Sequence, residues 1–238
     1  MRVTTFGISA LVLALVACNR GYKPYETGDS EYQAAMTDDF RATFAVDKST
    51  LKSCGNNPYF AIQPGAVSRF QSGHETLTIT VLAETRVIDG VETRIVEERE
   101  ETPRGLKEVS RNFFACDPAT GDVYYFGEEV DIYENGEIAS HAGAWKSGEG
   151  GARFGLMMPG QPIMGDRFYQ EVAPGIAMDR VEIVNVADEV ATPGGNVTRA
   201  IRVIETTPLE RGSSTKIFAP GLGLVKDGDL YLVSRTDG

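Results

Sequence analysis

The chain is poor in the residues that build most reactive centres. Its 238 residues hold two histidines, three cysteines and one tryptophan, and its 23 Lys and Arg are outnumbered by 34 Asp and Glu. His74 and His141 stand at no metal-ligand spacing from each other or from a cysteine, so no metal centre is expected. No serine sits in a Gly-x-Ser-x-Gly elbow, and Gly148-Glu149-Gly150-Gly151 lacks the lysine and the strand-to-helix setting of a phosphate loop. The acidic stretches Glu128-Glu129-Val130-Asp131 and 117–122 lack the ligand pattern of a calcium loop and are expected on a solvated sheet face. A net charge of −11 without any basic stretch repels phosphate backbones and anionic headgroups, which excludes nucleic acid as a partner. No apolar run is long enough to span a bilayer as a permanent helix. No cofactor is expected.

What is present begins at the N-terminus. Arg2 precedes an apolar run, residues 6–16, which ends in Leu15-Val16-Ala17-Cys18. A positive start, a short greasy core and small residues before a cleavage point make residues 1–17 a secretory signal peptide. The last four residues resemble the lipobox of bacterial lipoproteins. That resemblance implies cleavage before Cys18, acylation of its sulfur and amine with fatty acids such as palmitate, and attachment of the mature chain to a membrane. More than one acyl chain makes such an anchor lasting. Asn19, in place of an aspartate, resembles the signal that sends lipoproteins on to the outer membrane, facing the periplasm in an organism that has one.

Residues 18–50 read as a tether. Residues 21–29 are polar and contain Pro24 and two glycines, as a flexible spacer does. Tyr32, Met36, Phe40 and Phe44 then recur every four residues, which predicts a short amphipathic helix opened by Ser30 and Gln33. Cys54 and Cys116 remain as an even pair in an exported chain, and a disulfide between them is expected, with two buried thiols as the alternative. Closing a loop of that length stabilises a fold by about 4 kcal/mol on the chain-entropy view.

Residues 51–238 are expected to form one β-rich domain. In Thr76-Leu77-Thr78-Ile79-Thr80-Val81 threonines alternate with apolar residues, the pattern of a half-buried strand. Asp89-Gly90 suits a tight hairpin that sets Ile88 against Val91 and Ala83 against Val96, with Leu77, Ile79, Val81 and Val87 on the buried face beside Ala83. Further turn signals are Thr120-Gly121-Asp122, Asn135-Gly136, Gly194-Gly195-Asn196 and Asp227-Gly228. The last would pair Lys226 with Asp229, Val225 with Leu230 and Leu224 with Tyr231. The predicted fold is mainly β: a curved antiparallel meander, half-barrel or sandwich-like, with a short N-terminal helix.

Residues 148–165 break the strand pattern with six glycines, two prolines and three methionines. They read as a crossover over the sheet or as a flap at a pocket mouth, and methionines suit a pliable apolar surface. Trp145, Phe154, Leu156, Met157, Met158 and Met164 are therefore the candidate ligand contacts. His74 is expected solvated in a turn, and His141 partly buried opposite Val130.

Several motifs carry a family resemblance. They are Pro58-Tyr59-Phe60 with Pro64-Gly65, Tyr125-Phe126-Gly127-Glu128, Tyr133-Glu134-Asn135-Gly136, and Met158-Pro159 with Gly165-Asp166. Tyr169-Gln170-Glu171 with Ala173-Pro174-Gly175 follows, then Thr207-Pro208-Leu209-Glu210, and the run from Ala219 to Val225. In that order they resemble an uncharacterised family of exported bacterial proteins and lipoproteins, with Ser68-Arg69-Phe70 standing where that family has a Trp-x-Tyr pair. No catalytic residues come with the resemblance. At the level of fold, the pattern is similar to the half-barrels of Lol-type lipoprotein carriers, and fold does not settle function. These readings together point to a non-enzymatic envelope lipoprotein that binds an apolar small molecule, a lipid or an envelope protein on a curved sheet. A structural or assembly factor without a small ligand, and a carboxylate-dependent hydrolase, are the alternatives.

Overall fold

Threonine and β-branched residues fit a pleated, half-buried surface, and the stretches that carry them form strands. The computed structural model describes residues 39–53 and 55–238. Its strands are β1 (Val67–Ser72), β2 (Glu75–Ile88), β3 (Val91–Thr102), β4 (Gly105–Cys116), β5 (Val123–Glu134), β6 (Glu137–Ser140), β7 (Trp145–Lys146) and β8 (Arg153–Met158). After them come β9 (Arg167–Tyr169), β10 (Glu171–Val172), β11 (Arg180–Thr192), β12 (Gly195–Thr206), β13 (Ser214–Ala219), β14 (Gly223–Asp227) and β15 (Leu230–Thr236). Among the described residues the one helical element is a 3₁₀ turn, Lys48–Thr50, capped by the Asp47 carboxylate, which accepts the Ser49 N–H.

Hydrogen bonding runs in the order β10-β8-β5-β4-β3-β2-β1-β15-β14-β13-β12-β11-β9, with β6 and β7 paired to β5 off this path. Two meanders, β1–β5 and β11–β15, are joined where the first strand pairs with the last, Phe70 opposite Leu232. The two ends of the path are one piece of chain, since only Gln170 separates β9 from β10. Its first half pairs with β11 (Tyr169 opposite Arg180) and its second half with β8 (Glu171 opposite Phe154). The sheet therefore curls into a nearly closed antiparallel barrel. Gly155 permits this closure. A Cβ there would stand 2.4 Å from the Gln170 carbonyl oxygen and 2.5 Å from that of Tyr169.

Three expectations about the backbone need correction. Residues 148–165 are not a flap or a crossover over the concave face, because they contain β8, whose Leu156 and Met158 are buried in the core. The glycines that seemed to break a strand lie in the flanking turns, and Gly155 makes room for the closing segment. The β2–β3 hairpin turns at Asp89-Gly90 (φ 49° and 78°) and pairs Ile88 with Val91 as expected, but Val96 faces Val81 and not Ala83. A bulge between Val81 and Thr85 shifts the register and leaves Ala83 and Val87 exposed, Val87 at 68%. Arg94 answers the carbonyls that the bulge frees. Its guanidinium donates to the Leu82, Ala83 and Glu84 oxygens (3.3, 2.6 and 3.4 Å) and to that of Ser53 (2.9 Å).

The N-terminal helix is the third correction. Ser30, Tyr32 and Met36 lie outside the described residues, as do the signal peptide, Cys18 and Cys54. Phe40 and Phe44 are described, and their segment is extended. A spacing of four is also two periods of two. Phe40, Ala42, Phe44 and Val46 are covered while Arg41, Thr43, Ala45 and Asp47 are exposed. Arg41 bridges β9, with its N–H on the Arg167 oxygen (3.1 Å) and its carbonyl accepting the Tyr169 N–H (3.0 Å). The Phe40 ring packs edge-on against Tyr169 and lies 4.5 Å from the Arg180 guanidinium.

Candidate functional site

Strand register places the interior side chains in rows. Across β2, β3 and β4 the rows are Val81–Val96–Asn112, Ile79–Glu98–Ser110 and Leu77–Glu100–Glu108. That wall thus changes from apolar to acidic along the strands. The other meander does the same. Phe218 faces Leu224 while Lys216 faces Asp227, and on β12 Ile201 and Val203 precede Glu205. The two apolar stretches share one end of the barrel. Ala66, beside Val81, lies at that end, and Asp227, opposite Leu230, lies beyond Phe70 at the other.

Between the walls is a chamber of about 130 Å³, lined at the apolar end by Phe60, Ala66, Val81, Phe114, Phe218 and Leu224 among others. An engineered apolar cavity of about 150 Å³ takes up benzene, which sets the scale of what fits here. Phe60 arrives on the loop of residues 58–62, and Asn57 holds that loop from below. The Asn57 amide donates to the Gly121 and Pro159 oxygens (2.9 and 3.1 Å), and its oxygen accepts the Tyr59 and Phe60 N–H groups (2.8 and 3.1 Å). Gly221 N–H fixes the other side of the loop through the Pro58 oxygen (2.8 Å). From Phe60 a chain of rings runs to Phe114 (4.9 Å), Tyr125 (4.9 Å) and Trp145 (5.2 Å). The Tyr125 hydroxyl donates to Asn112 Oδ1, which stands where the apolar and polar regions meet.

The opposite end is acidic. Glu98, Glu108, Glu128, Glu171, Asp179, Glu205 and Asp227 line the chamber, against Lys216 and Arg235. Arg235 is engaged by Asp237 (3.1 Å), Ser68 (3.1 Å) and the Leu222 oxygen (3.3 Å). Lys216 Nζ lies 2.8 Å from Glu205. Burial, and then the neighbouring carboxylates Glu108 and Glu98, push the Glu128 carboxyl well above the usual range. Glu171 is likewise held high by burial and by Asp179, although the Asp179 N–H donates to it at 2.7 Å. Asp179 is pushed up to about 8 by burial and Glu205, with Lys216 opposing. Glu205 is raised by burial, against the pull of Lys216. Among the described residues no three His, Cys, Asp or Glu side chains converge closely enough to hold a metal ion, so these acids are distributed around the wall.

Asp227 enters the chamber because the last hairpin turns one residue later than its Asp-Gly pair suggests. Asp227 pairs with Leu230 and Lys226 with Tyr231, leaving Gly228-Asp229 as the turn. Asp227 is 5% exposed, and its Oδ1 has no hydrogen-bond partner among the described residues. Glu128 is a second correction. It is buried, whereas its neighbours Glu129 and Asp131 do sit on a polar face, Glu129 with Arg86 and Lys146, and Asp131 with Arg111 and His141. The His141 ring is largely exposed, with Nδ1 2.8 Å from the Val130 oxygen.

Of the six expected ligand contacts, the structure places Met157 on the chamber wall, held by the Gln170 amide at its sulfur (3.2 Å). Trp145 packs behind Tyr125, and its Nε1 has no hydrogen-bond partner among the described residues. Phe154 stacks on Phe126 (4.8 Å) outside the chamber lining, and Leu156 and Met158 are core residues. Met164 is 66% exposed and away from the lining. Cys116 is buried, and Lys52 pairs with it through N–H and carbonyl (2.9 and 2.8 Å). A Cβ on Gly55 would stand 2.4 Å from its sulfur, so the chain on both sides of Cys54 runs past Cys116.

No protein-family model matches the chain, and no curated protein matches it. Among solved structures, a candidate lipoprotein from Parabacteroides distasonis ATCC 8503 is similar at 11% identity, over 78% of this chain and 100% of that one, with a TM-score of 0.36. The family resemblance therefore rests on its motifs alone.

Proposed function

We propose that the chain is an exported, lipid-anchored binding protein without catalytic activity, and that the barrel interior, not an outer sheet face, receives a small molecule with an apolar body. The anchor reading rests on residues 1–18. The binding reading rests on the chamber: a concave space with an apolar, aromatic end is the usual form of a small-molecule site, and here its other end is lined by charged groups. Its volume of about 130 Å³ suits one ring or a short chain and excludes a whole membrane lipid. Thermal unfolding with and without benzyl alcohol tests this. The alcohol should raise the melting temperature of the protein, and Ala66→Leu, which fills the apolar end, should abolish the rise. No shift in the unmodified protein, or an equal shift in the variant, would remove the chamber as the site.

A further inference from the structure

We propose that the chamber selects small organic ammonium ions: a primary amine on an aromatic or aliphatic body, its charge at the Asp227 end and its carbon body against Phe114 and Phe218. This rests on the chamber being a binding site. Three observations carry it.

The first is the unpartnered carboxylate. Asp227 is nineteen-twentieths buried, lines the chamber, and keeps Oδ1 without a hydrogen-bond donor among the described residues. A buried acceptor left open costs free energy unless something supplies a donor. An ammonium supplies three.

The second is the imbalance of sign. Seven carboxyl groups and two cations share the lining, and one of those cations is taken up by Asp237, Ser68 and Leu222. A small buried space whose acids hold their protons more tightly for want of positive charge favours an incoming cation, which lets neighbouring acids ionise beside it as well as filling the open acceptor.

The third is shape. The acids are distributed around the wall and do not converge on a point that fits a metal ion. The opposite end is apolar and aromatic, with Phe60 and Phe114 rings 4.9 Å apart. An inorganic cation would use the acids and leave that end empty. An anion would meet the wrong charge, and a neutral apolar molecule would leave Asp227 unanswered. A compact amine uses both ends.

Calorimetric titration of the whole folded domain with benzylamine, and separately with benzyl alcohol, tests the inference. The two have nearly the same size and differ in charge. Benzylamine should bind at least about tenfold more tightly, a difference of about 1.4 kcal/mol. Asp227→Asn should erase that preference, bringing the two affinities together. Should that variant fail to fold, Glu98→Gln on the other wall should reduce the same preference. Equal binding of the two probes would overturn the amine inference and leave the apolar chamber standing. Binding of neither would overturn both readings.

Discussion

Mild acid should stabilise this protein. Asp179 titrates at about 8 in the folded barrel, against 3.8 for an ordinary aspartate. Between about pH 5 and pH 7.5 the unfolded chain has therefore released that proton while the folded chain keeps it. Because the folded state binds the extra proton, stability is complete below the unfolded value and is lost as pH rises towards the folded one. One retained proton changes stability by about 1.4 kcal/mol per pH unit, so the span amounts to about 3 kcal/mol. For a domain of this size that is roughly 6–12 °C in melting temperature. Glu128, Glu171 and Glu205 shift in the same direction and can only steepen the trend. Asp47, Asp89 and Glu129 are held below their usual values by Ser49, by Lys48 and Ser147, and by Lys146 and Arg86. Their contributions are lost only as pH falls through those lowered values, beneath this window. Thermal unfolding followed by circular dichroism at constant ionic strength reads the trend, and Asp179→Asn should reduce its slope. A melting temperature that is level or falls from pH 7.5 to pH 5 would refute the buried, protonated cluster.

Gly155→Ala should destabilise the barrel by about 1–3 kcal/mol in urea unfolding, because the added carbon meets the carbonyls of Tyr169 and Gln170. Gly194→Ala, where the nearest side-chain atom is 3.7 Å away, is the control and should change little. In the exported protein, alkylation without reductant should leave Cys54 and Cys116 unmodified by intact mass, and two added groups would mean thiols. Cys18→Ser should shift the protein from the membrane fraction to the soluble one, and persistence in salt-washed membranes would dispose of the lipid anchor.

Much of the architecture was legible in local chemistry. Asp89-Gly90 and Asn135-Gly136 take positive φ at both residues, which few other pairs do without strain, so these turns were readable directly. The bulge in β2 was not, because its freed carbonyls are answered by Arg94 on the next strand and by nothing in β2 itself. The acidic chamber was hidden for a related reason. Alternation sorts residues onto two faces without saying which face a closed sheet turns inward. Glu97-Glu98-Arg99-Glu100 reads as a strand polar on both sides, and only closure makes Glu98 interior while Arg99 stays exposed. Asp227-Gly228-Asp229 offers two equivalent turn pairs, and the use of Gly228-Asp229 is what sends a carboxylate inside. At residues 40–46 a four-residue spacing fits a helix and a two-residue alternation alike, and the isolated bridge from Arg41 to β9 decides for the alternation.

The pairing of β1 with β15 carries a consequence for how the chain reaches this form. Hairpins within each meander join near neighbours and can appear as soon as their residues are available. The seam between Ser68 and Arg235 joins the beginning of the domain to its end. During synthesis or threading from the N-terminus, no intermediate length of chain can complete the barrel, and contacts of such sequence separation form slowly. Until the last seven-residue strand arrives, β1 presents an open edge. A folding pathway gated by β15 keeps the barrel open until both meanders are made, and makes the loss of that one strand felt across the whole wall.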